Sequence, residues 1–511
     1  MNGPTKLRAL LALAMTGLLA SCGGGGTTTT TTTEETTGQE TQIAEAPRER
    51  EAPPASAPPR DVHLPPIARS TTTQGLELNT VTTSGLPVVY LRLHIRSGLA
   101  SDPAEMPGLS LLVARMLKEG TRTRTSEQFA EQLEFYGADV DVSADQMQVV
   151  INVRGLAEHL EPLMALLADM VTAPRFDEQE LRRLKQRELD RLTVQYGDPS
   201  QLARREFYRI AYGAHPYAHV DATAAGIERI RRADLQAWHR AHVVPNNSFL
   251  VVAGSVTGEQ VTAAAERAFR TWRRRDVPAL AYPELAPRTA REVVVVSRPG
   301  SVQSVICVGN LAIARSHPDW VSLTVANQVL GGSPAARLFM DLRERRSLTY
   351  GAYSSVDDLA EPGPFRARAA VPNDRTVPAM DAFMEHLTRI VGEEVPTEEL
   401  GHAEQFLSDS FPLYIDTPAR LAWMVAELRT FGLPDDYWDG YRSQIRAVTS
   451  AEALRAAQAH IHPDTAIVVV VGDASVVAEP LRRWGPVRVI DDTGREVASF
   501  PAAESATPTA Q

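Results

Sequence analysis

Two short segments far apart in the chain can be laid over one another without a gap. AHVVPNNSFLVVAGSV occupies residues 241–256 and AHIHPDTAIVVVVGDA residues 459–474, an offset of 218 residues from 241 to 459. Ala, His, Pro and Gly coincide, and an apolar, largely β-branched run follows the proline in both copies. Each copy is preceded by an amphipathic segment, Ala233–Ala241 and Ala451–Ala459, that reads as a helix. A repeating unit of about 200 residues is the size of a whole domain, not of a solenoid module. The chain of 511 residues is therefore expected to hold two homologous domains, 67–275 and 290–495, joined by a proline-bearing linker at 276–289. Each half reads as strand, strand, helix, paired helices and a final strand. That order predicts an α+β fold, a mostly antiparallel sheet packed with helices. Residues 496–511 are polar and are expected to form a loose tail.

What precedes residue 67 has a different texture. Lys6 and Arg8 open a basic segment, and Ala9–Leu19 is an apolar run too short to span a bilayer. The run closes on Leu19-Ala20-Ser21-Cys22, which resembles a bacterial lipobox, so residues 1–22 are expected to be a lipoprotein signal peptide with the Cys22 thiol as the lipidated atom. The bland alternative is an ordinary cleaved signal that happens to contain a cysteine. Gly23 in place of Asp favours, by the same resemblance, an outer-membrane anchor facing the periplasm of a bacterial envelope. Residues 23–66 are Gly/Thr-rich and then Glu/Pro/Ala-rich; they cannot bury enough apolar surface to offset ordering and read as a tether. Two cysteines exclude a disulfide scaffold, and Cys307, inside SVICVGN, reads as a buried free thiol. A net charge of −11 excludes a generic basic nucleic-acid binder.

The densest local signal is GGSPAARLFMDLRERRSLTYGAYSS at 331–355. Gly331-Gly332 breaks the preceding element, Ser333 is a good N-cap and Pro334 suits a first helical position, which predicts a helix over about 335–346. A strand is expected over 348–356, with Tyr350 near its start. Arg343 and Tyr350 then stand at adjacent ends of a helix and a strand, where a guanidinium and a phenol can donate to one carbonyl or oxyanion. On spacing alone, a surface arginine beside a half-buried tyrosine is the simpler reading.

The run LGGSPAARLFMDLRERRSLTYGAYSS resembles the second-domain signature of the insulinase-like (pitrilysin, M16) zinc peptidases, in which an Arg and a Tyr seven apart help bind substrate. The resemblance covers about 70–495, implies two clam-like halves around a chamber, and carries the substrate-binding role to Arg343 and Tyr350. In the first half, HIRSGLASDPAEMPGLSLLVARMLKEGT resembles the family's catalytic domain. There the segment 108–121 takes the place of the inverted zinc motif H-x-x-E-H on a helix. The helix itself is supported by Leu109, Leu112, Val113, Met116 and Leu117 at helical spacing. The two histidines and the glutamate of the motif are replaced by Leu111, Arg115 and Ala114, and the family's downstream Glu ligand, counted back from Gly197-Asp198-Pro199, falls on Arg191. No metal is expected in this chain.

The resemblance thus implies the non-catalytic member of a heterodimeric zinc peptidase. A partner with an intact H-x-x-E-H would carry the zinc, and this chain would supply Arg343 and Tyr350 in trans for cleavage of short unfolded peptides. Only Gly331-Gly332-Ser333 precedes the signature, without the long glycine-rich loop of the mitochondrial processing subunit. A non-enzymatic scaffold or peptide-binding lipoprotein of the same fold remains the alternative. An autonomous peptidase would need another metal site, drawn from His215 and His219 in HPYAH, His239 and His242 in HRAH, or His460 and His462 in HIH. Helix-end or structural histidines are the simpler reading of each.

Overall fold

The computed structural model describes residues 63–503; the signal peptide, Cys22 and all of the tether before residue 63 lie outside the described residues. The fold is two α+β halves. In the first, β1 (Ile67–Thr71), β2 (Glu77–Thr82), β3 (Val88–Ile95), β4 (Asp139–Ala144), β5 (Val149–Leu156) and β6 (Ser248–Gly254) form one sheet in the order β1-β2-β6-β3-β5-β4. In the second, β7 (Glu292–Ser297), β8 (Gln303–Leu311), β9 (Ala352–Val356), β10 (Pro364–Pro372), β11 (Ile467–Gly472), β12 (Val487–Ile490) and β13 (Glu496–Phe500) follow the order β13-β12-β7-β11-β8-β10-β9.

The repeat segments become β6 and β11, and each takes the same central place. β6 pairs parallel with β2 and antiparallel with β3; β11 pairs parallel with β7 and antiparallel with β8. Every residue of both strands is buried. A strand covered on both faces loses the in–out alternation and reads as a continuous apolar run, which is why these two segments stand out in the sequence. The helices before them run Arg232–His242 and Ser450–His460. The expected loose tail is corrected at its start: Glu496–Phe500 is β13, antiparallel on β12. Its residues are mostly exposed because an edge strand with polar side chains needs only backbone pairing on one side.

One face of each sheet carries that half's own helices. Leu91, Leu93, Leu250 and Val252 pack in one core with the helices Leu109–Met116 and Leu160–Thr172. The other face is covered by the opposite half. The helix Pro418–Phe431 of the second half lays Leu421, Ala422, Val425 and Ala426 on Val81, Phe249, Val251 and Ala253 of the first sheet. In return the helix Pro199–Tyr212 of the first half lays Leu202, Ala203, Phe207 and Tyr208 on Val294, Val296, Ile467 and Val469 of the second sheet. Both helices start on a proline behind a side-chain cap, Asp198 accepting from Ser200 N–H and Thr417 from Arg420 N–H. At about 25 cal/mol per Å² of apolar surface, this exchange makes each half part of the other's core. The linker is coil, and Tyr282 within it stacks on His215 at 4.8 Å. Cys307 is a buried free thiol on the second sheet, its pKa pushed up to about 11 by burial. Among the described residues no helix is long and apolar enough to cross a membrane.

Candidate functional site

The helix Leu109–Met116 is set by its entry. Gly108 has φ +103°, and a Cβ there would meet Ala222 Cβ at 2.4 Å, so only glycine fits. Asp102 accepts from Gly108 N–H and Ser110 N–H, both at 2.8 Å, capping the first turn from outside the helix. Leu111 and Ala114 are buried in the first-half core. Arg115 reaches the helix Glu178–Gly197 and ion-pairs with Glu188, which is 1% exposed. Arg191 approaches the other oxygen of the same carboxylate, Nε to Oε2 at 2.9 Å. Burial, with the guanidiniums of Arg191 and Arg187 nearby, pushes the Arg115 pKa down to about 10.

Glu188 is the functional-position residue that sequence reasoning missed. It lies three residues before Arg191, one helical turn along the same face, and it is the carboxylate that points at the position of the motif. A structural or catalytic zinc takes nitrogen, sulfur or oxygen donors in near-tetrahedral array. Here Leu111 and Ala114 offer none, Glu188 has one oxygen on each of two guanidiniums, and a dication would stand against both. These residues do not fit zinc.

Of these histidines, His215, His239, His242 and His460 make side-chain hydrogen bonds. His215 Nδ1 accepts from Tyr217 N–H at 3.1 Å in a 3₁₀ turn, Pro216–Ala218, that ends at His219. His239 Nε2 meets Val171 O at 2.8 Å, and His242 Nδ1 meets Ser97 Oγ at 3.0 Å. His460, the repeat equivalent of His242, meets Asp319 Oδ2 at 2.8 Å; both close a helix end onto a neighbour, a structural reason for their coincidence. His462 is exposed, its N–H donating to Asn310. Among the described residues one group, His317, Asp319 and His460, brings three potential metal donors together. Both oxygens of Asp319 are held by Arg455, at 2.8 and 3.1 Å, and His317 Nδ1 accepts from Asp319 N–H, so the cluster is a cross-link between two helices. Arg455 and His460 hold the Asp319 carboxyl well below the usual carboxylate range.

In the second half the expected helix over 335–346 is corrected. The preceding helix, Trp320–Gly331, ends on Gly331, where a Cβ would lie 2.5 Å from Ser354 N. Ser333 is not a cap; its carbonyl accepts from Ala336 N–H in a turn, and a single α-turn, Arg337–Phe339, begins behind Ala336. The chain then widens into a π-turn, Met340–Arg345, closed by Arg346 N–H on Asp341 O at 2.9 Å. The side chain of Asp341 explains the widening. Burial raises its pKa, but bonds from His386 Nε2 and Arg346 Nε, both at 2.9 Å, outweigh that and hold it below the usual range. Ser347, at φ +51°, turns the chain out of the π-turn. π-turns are rare and are often found where a side chain has a task.

Arg343 lies in this turn. Its guanidinium carbon sits 4.5 Å from the centroid of the Tyr350 ring and 4.9 Å from that of Phe339. The predicted strand start is also corrected: Tyr350 precedes β9, in a loop fixed by Thr349 Oγ1 donating to Ala370 O at 2.6 Å. Tyr350 is 86% exposed, not half-buried, although its ring packs against a cation. The structure therefore brings Arg343 and Tyr350 into contact at the surface, with the Tyr350 ring exposed and the half-buried Arg343 pairing its Nε with Glu344 Oε1 at 3.3 Å.

The fold is thus a two-domain α+β repeat whose sheets exchange helices, with this signature in its second half. The model described as "Insulinase (Peptidase family M16)" matches residues 80–220, and that described as "Peptidase M16 inactive domain" matches 229–407; the chain belongs to the M16 family. Among solved structures, a Pseudomonas fluorescens protein described as a peptidase M16 inactive domain superposes with a TM-score of 0.75 at 26% identity, covering 80% of this chain and 98% of that one. A Helicobacter pylori protease shares the fold at TM-score 0.73 and 18% identity, covering 80% of this chain and all of that one. An uncharacterized zinc protease of Bacillus subtilis is 21% identical over 353 residues, 69% of this chain and 85% of its own length. One from Mycobacterium tuberculosis is 25% identical over 391 residues, 74% and 85% respectively.

Proposed function

We propose that this chain is the non-catalytic subunit of a paired M16 peptidase in a bacterial envelope. It would hold no zinc, and would present Arg343 and Tyr350 to peptide bound against the zinc centre of a partner with an intact H-x-x-E-H. The observation that carries this reading is the ion cluster Arg115–Glu188–Arg191: the motif position is filled by a closed salt bridge, while in the other half Tyr350 is exposed with the half-buried Arg343 against its ring. In peptide hydrolysis the carbonyl oxygen gains charge at the transition state, and preformed donors stabilise it without reorganising. A guanidinium held against a ring and a phenol beside it can donate to that oxygen or to the neighbouring peptide backbone. Cys22, with the tether to residue 63, would place the chain at the outer membrane facing the periplasm.

The test mixes the purified chain with a zinc-bearing M16 homologue from the same envelope and follows cleavage of a short unfolded peptide. Chelator-sensitive cleavage that needs both chains supports the proposal. Chelator-sensitive cleavage by this chain alone, homogeneous and free of other peptidases, overturns it.

A further inference from the structure

Where the exchanged helices meet, the two halves enclose a cavity of about 290 Å³ on the face of the first sheet opposite the helix Leu109–Met116. Its first-half wall comes from Arg92 and His94 on β3, the β4–β5 turn at 145–148, and Arg204 and Tyr208; its second-half wall comes from Asp357–Leu359 and from Trp423, Glu427 and Phe431. Glu427 is only 7% exposed, and its Oε2 has no hydrogen-bond partner. Gln146, 4% exposed, likewise leaves Nε2 unbonded. An orphaned carboxylate oxygen that deep is costly unless something fills it.

None of the cations around Glu427 donates a hydrogen bond to its Oε2. Arg366 holds both oxygens of Asp357 at 2.8 and 2.6 Å, and Tyr208 donates to the same carboxylate. Arg92 donates to Asn152 Oδ1 at 2.8 Å and to His94 Nε2 at 2.9 Å; burial and Arg92 keep that imidazole neutral. Arg204 lies over the Tyr208 ring. Arg315 bonds Tyr437 Oη, sits among the rings of Trp320 and Tyr437, and comes no nearer to Glu427 Oε2 than 3.9 Å. The Asp358 carboxyl repels Glu427 on one side and, on the other, Asp145, which itself accepts from Met147 and Gln148 N–H. Burial and the Asp358 carboxyl, against the nearby Arg315, push the Glu427 pKa up to about 8, so near neutrality this group keeps a proton. The proton does the neutralising that a bound cation would do.

We infer that this cavity is a binding site for a small organic monocation bearing N–H donors, an alkylammonium or alkylguanidinium group, with Glu427 and Asp358 as its partners. The ring of Trp423, half-exposed, and that of Phe431 are placed to cover the alkyl stem and to face the charge. On binding, the cation donates to Glu427 Oε2, the Glu427 proton passes to solvent, and the net charge of the cavity is unchanged. The cation can belong to a free amine or to a lysine or arginine side chain.

The test uses the purified full-length chain and three probes: butylammonium chloride, butylguanidinium chloride, and an N-acetylated, C-amidated Ala-Lys-Ala peptide. Sodium chloride at equal ionic strength is the control. The expected result is a saturable rise in Tm and a quench of Trp423 fluorescence. Both should be stronger at pH 8 than at pH 6, with proton release at pH 7. Glu427→Gln keeps the shape of the side chain and should weaken binding about tenfold or more; if it does not fold, Trp423→Leu on the rim should weaken it instead. Saturation by the free amines alone assigns a free ligand; saturation by the peptide as well assigns a side chain. No response beyond that of sodium chloride, or an undiminished response in a folded Glu427→Gln chain, overturns the inference.

Discussion

Arg115 and Glu188 are bound to each other across two helices, at the position where the family's zinc motif is expected. Glu188 is almost fully buried, so its charge is supported only by Arg115 and Arg191. Glu188→Leu leaves Arg115 partly buried without a partner. Removing one member of a buried pair costs about 3–5 kcal/mol, and the partial exposure of Arg115 places this case at or below the lower end. Urea unfolding should show a loss of about 2–3 kcal/mol. An unchanged midpoint would mean the cluster is not structural.

The pair Arg343 and Tyr350 gives a different signature, loss of rate without loss of fold. Tyr350→Phe removes one exposed hydroxyl and keeps the ring against Arg343. In a reconstituted complex this should cost roughly 10²–10³ in kcat, the usual effect of removing one transition-state donor. Arg343→Lys keeps charge but loses the planar fork and should not restore the rate. Size-exclusion chromatography beside the cleavage assay separates assembly from catalysis. Full activity in an assembled complex carrying both changes would reduce the pair to packing.

The junction between the halves should respond to pH through Glu427. Its pKa is about 8 in the folded chain and 4.5 in a free side chain, so the folded state binds the proton more tightly. The stability this group contributes is then fully present below about pH 4.5, declines as pH rises to about 8, and is flat beyond. Urea midpoints measured from pH 5 to pH 8 should fall, and Glu427→Gln should flatten that slope. A slope unaltered by Glu427→Gln would place the titration elsewhere.

Tyr208 makes a cross-half contact, its hydroxyl donating to Asp357 from the exchanged helix. Tyr208→Phe should cost about 1–3 kcal/mol, because the carboxylate keeps Arg366 but loses its second partner. Phe207→Ala, one residue away and fully buried, should cost about 3–5 kcal/mol and loosen the halves together. If limited proteolysis cut both variants no faster than the unaltered chain, the exchange would not be the bond between the halves.

Membrane attachment has its own readout. Cys22→Ala should move the protein from the membrane fraction to the soluble periplasmic fraction. Retention at the membrane without attached lipid would show that the leader has another role.

The central strands were legible because burial on both faces writes itself into the sequence as an apolar run, twice. The helix Leu109–Met116 was legible for the opposite reason, a one-sided stripe at helical spacing. What the sequence hid was partnership. The helices Pro199–Tyr212 and Pro418–Phe431 show apolar faces, but nothing in their composition says that each covers the other half's sheet. Glu188 was hidden by counting: a ligand position read from Gly197 fell on Arg191, while the side chain that enters the site comes from one turn earlier. The π-turn at Met340–Arg345 depends on bonds from His386 and Arg346 to Asp341, and the contact with distant His386 is invisible to local pattern. β13 was missed because an edge strand held by its backbone can be polar throughout.

The zinc content of the isolated full-length chain, measured by elemental mass spectrometry after purification without chelators, tests the central claim most directly. The closed Arg115–Glu188–Arg191 cluster predicts far less than one zinc per chain and no chelator-sensitive peptide cleavage. One tightly held zinc per chain, whose removal abolishes cleavage by the chain alone, would contradict it.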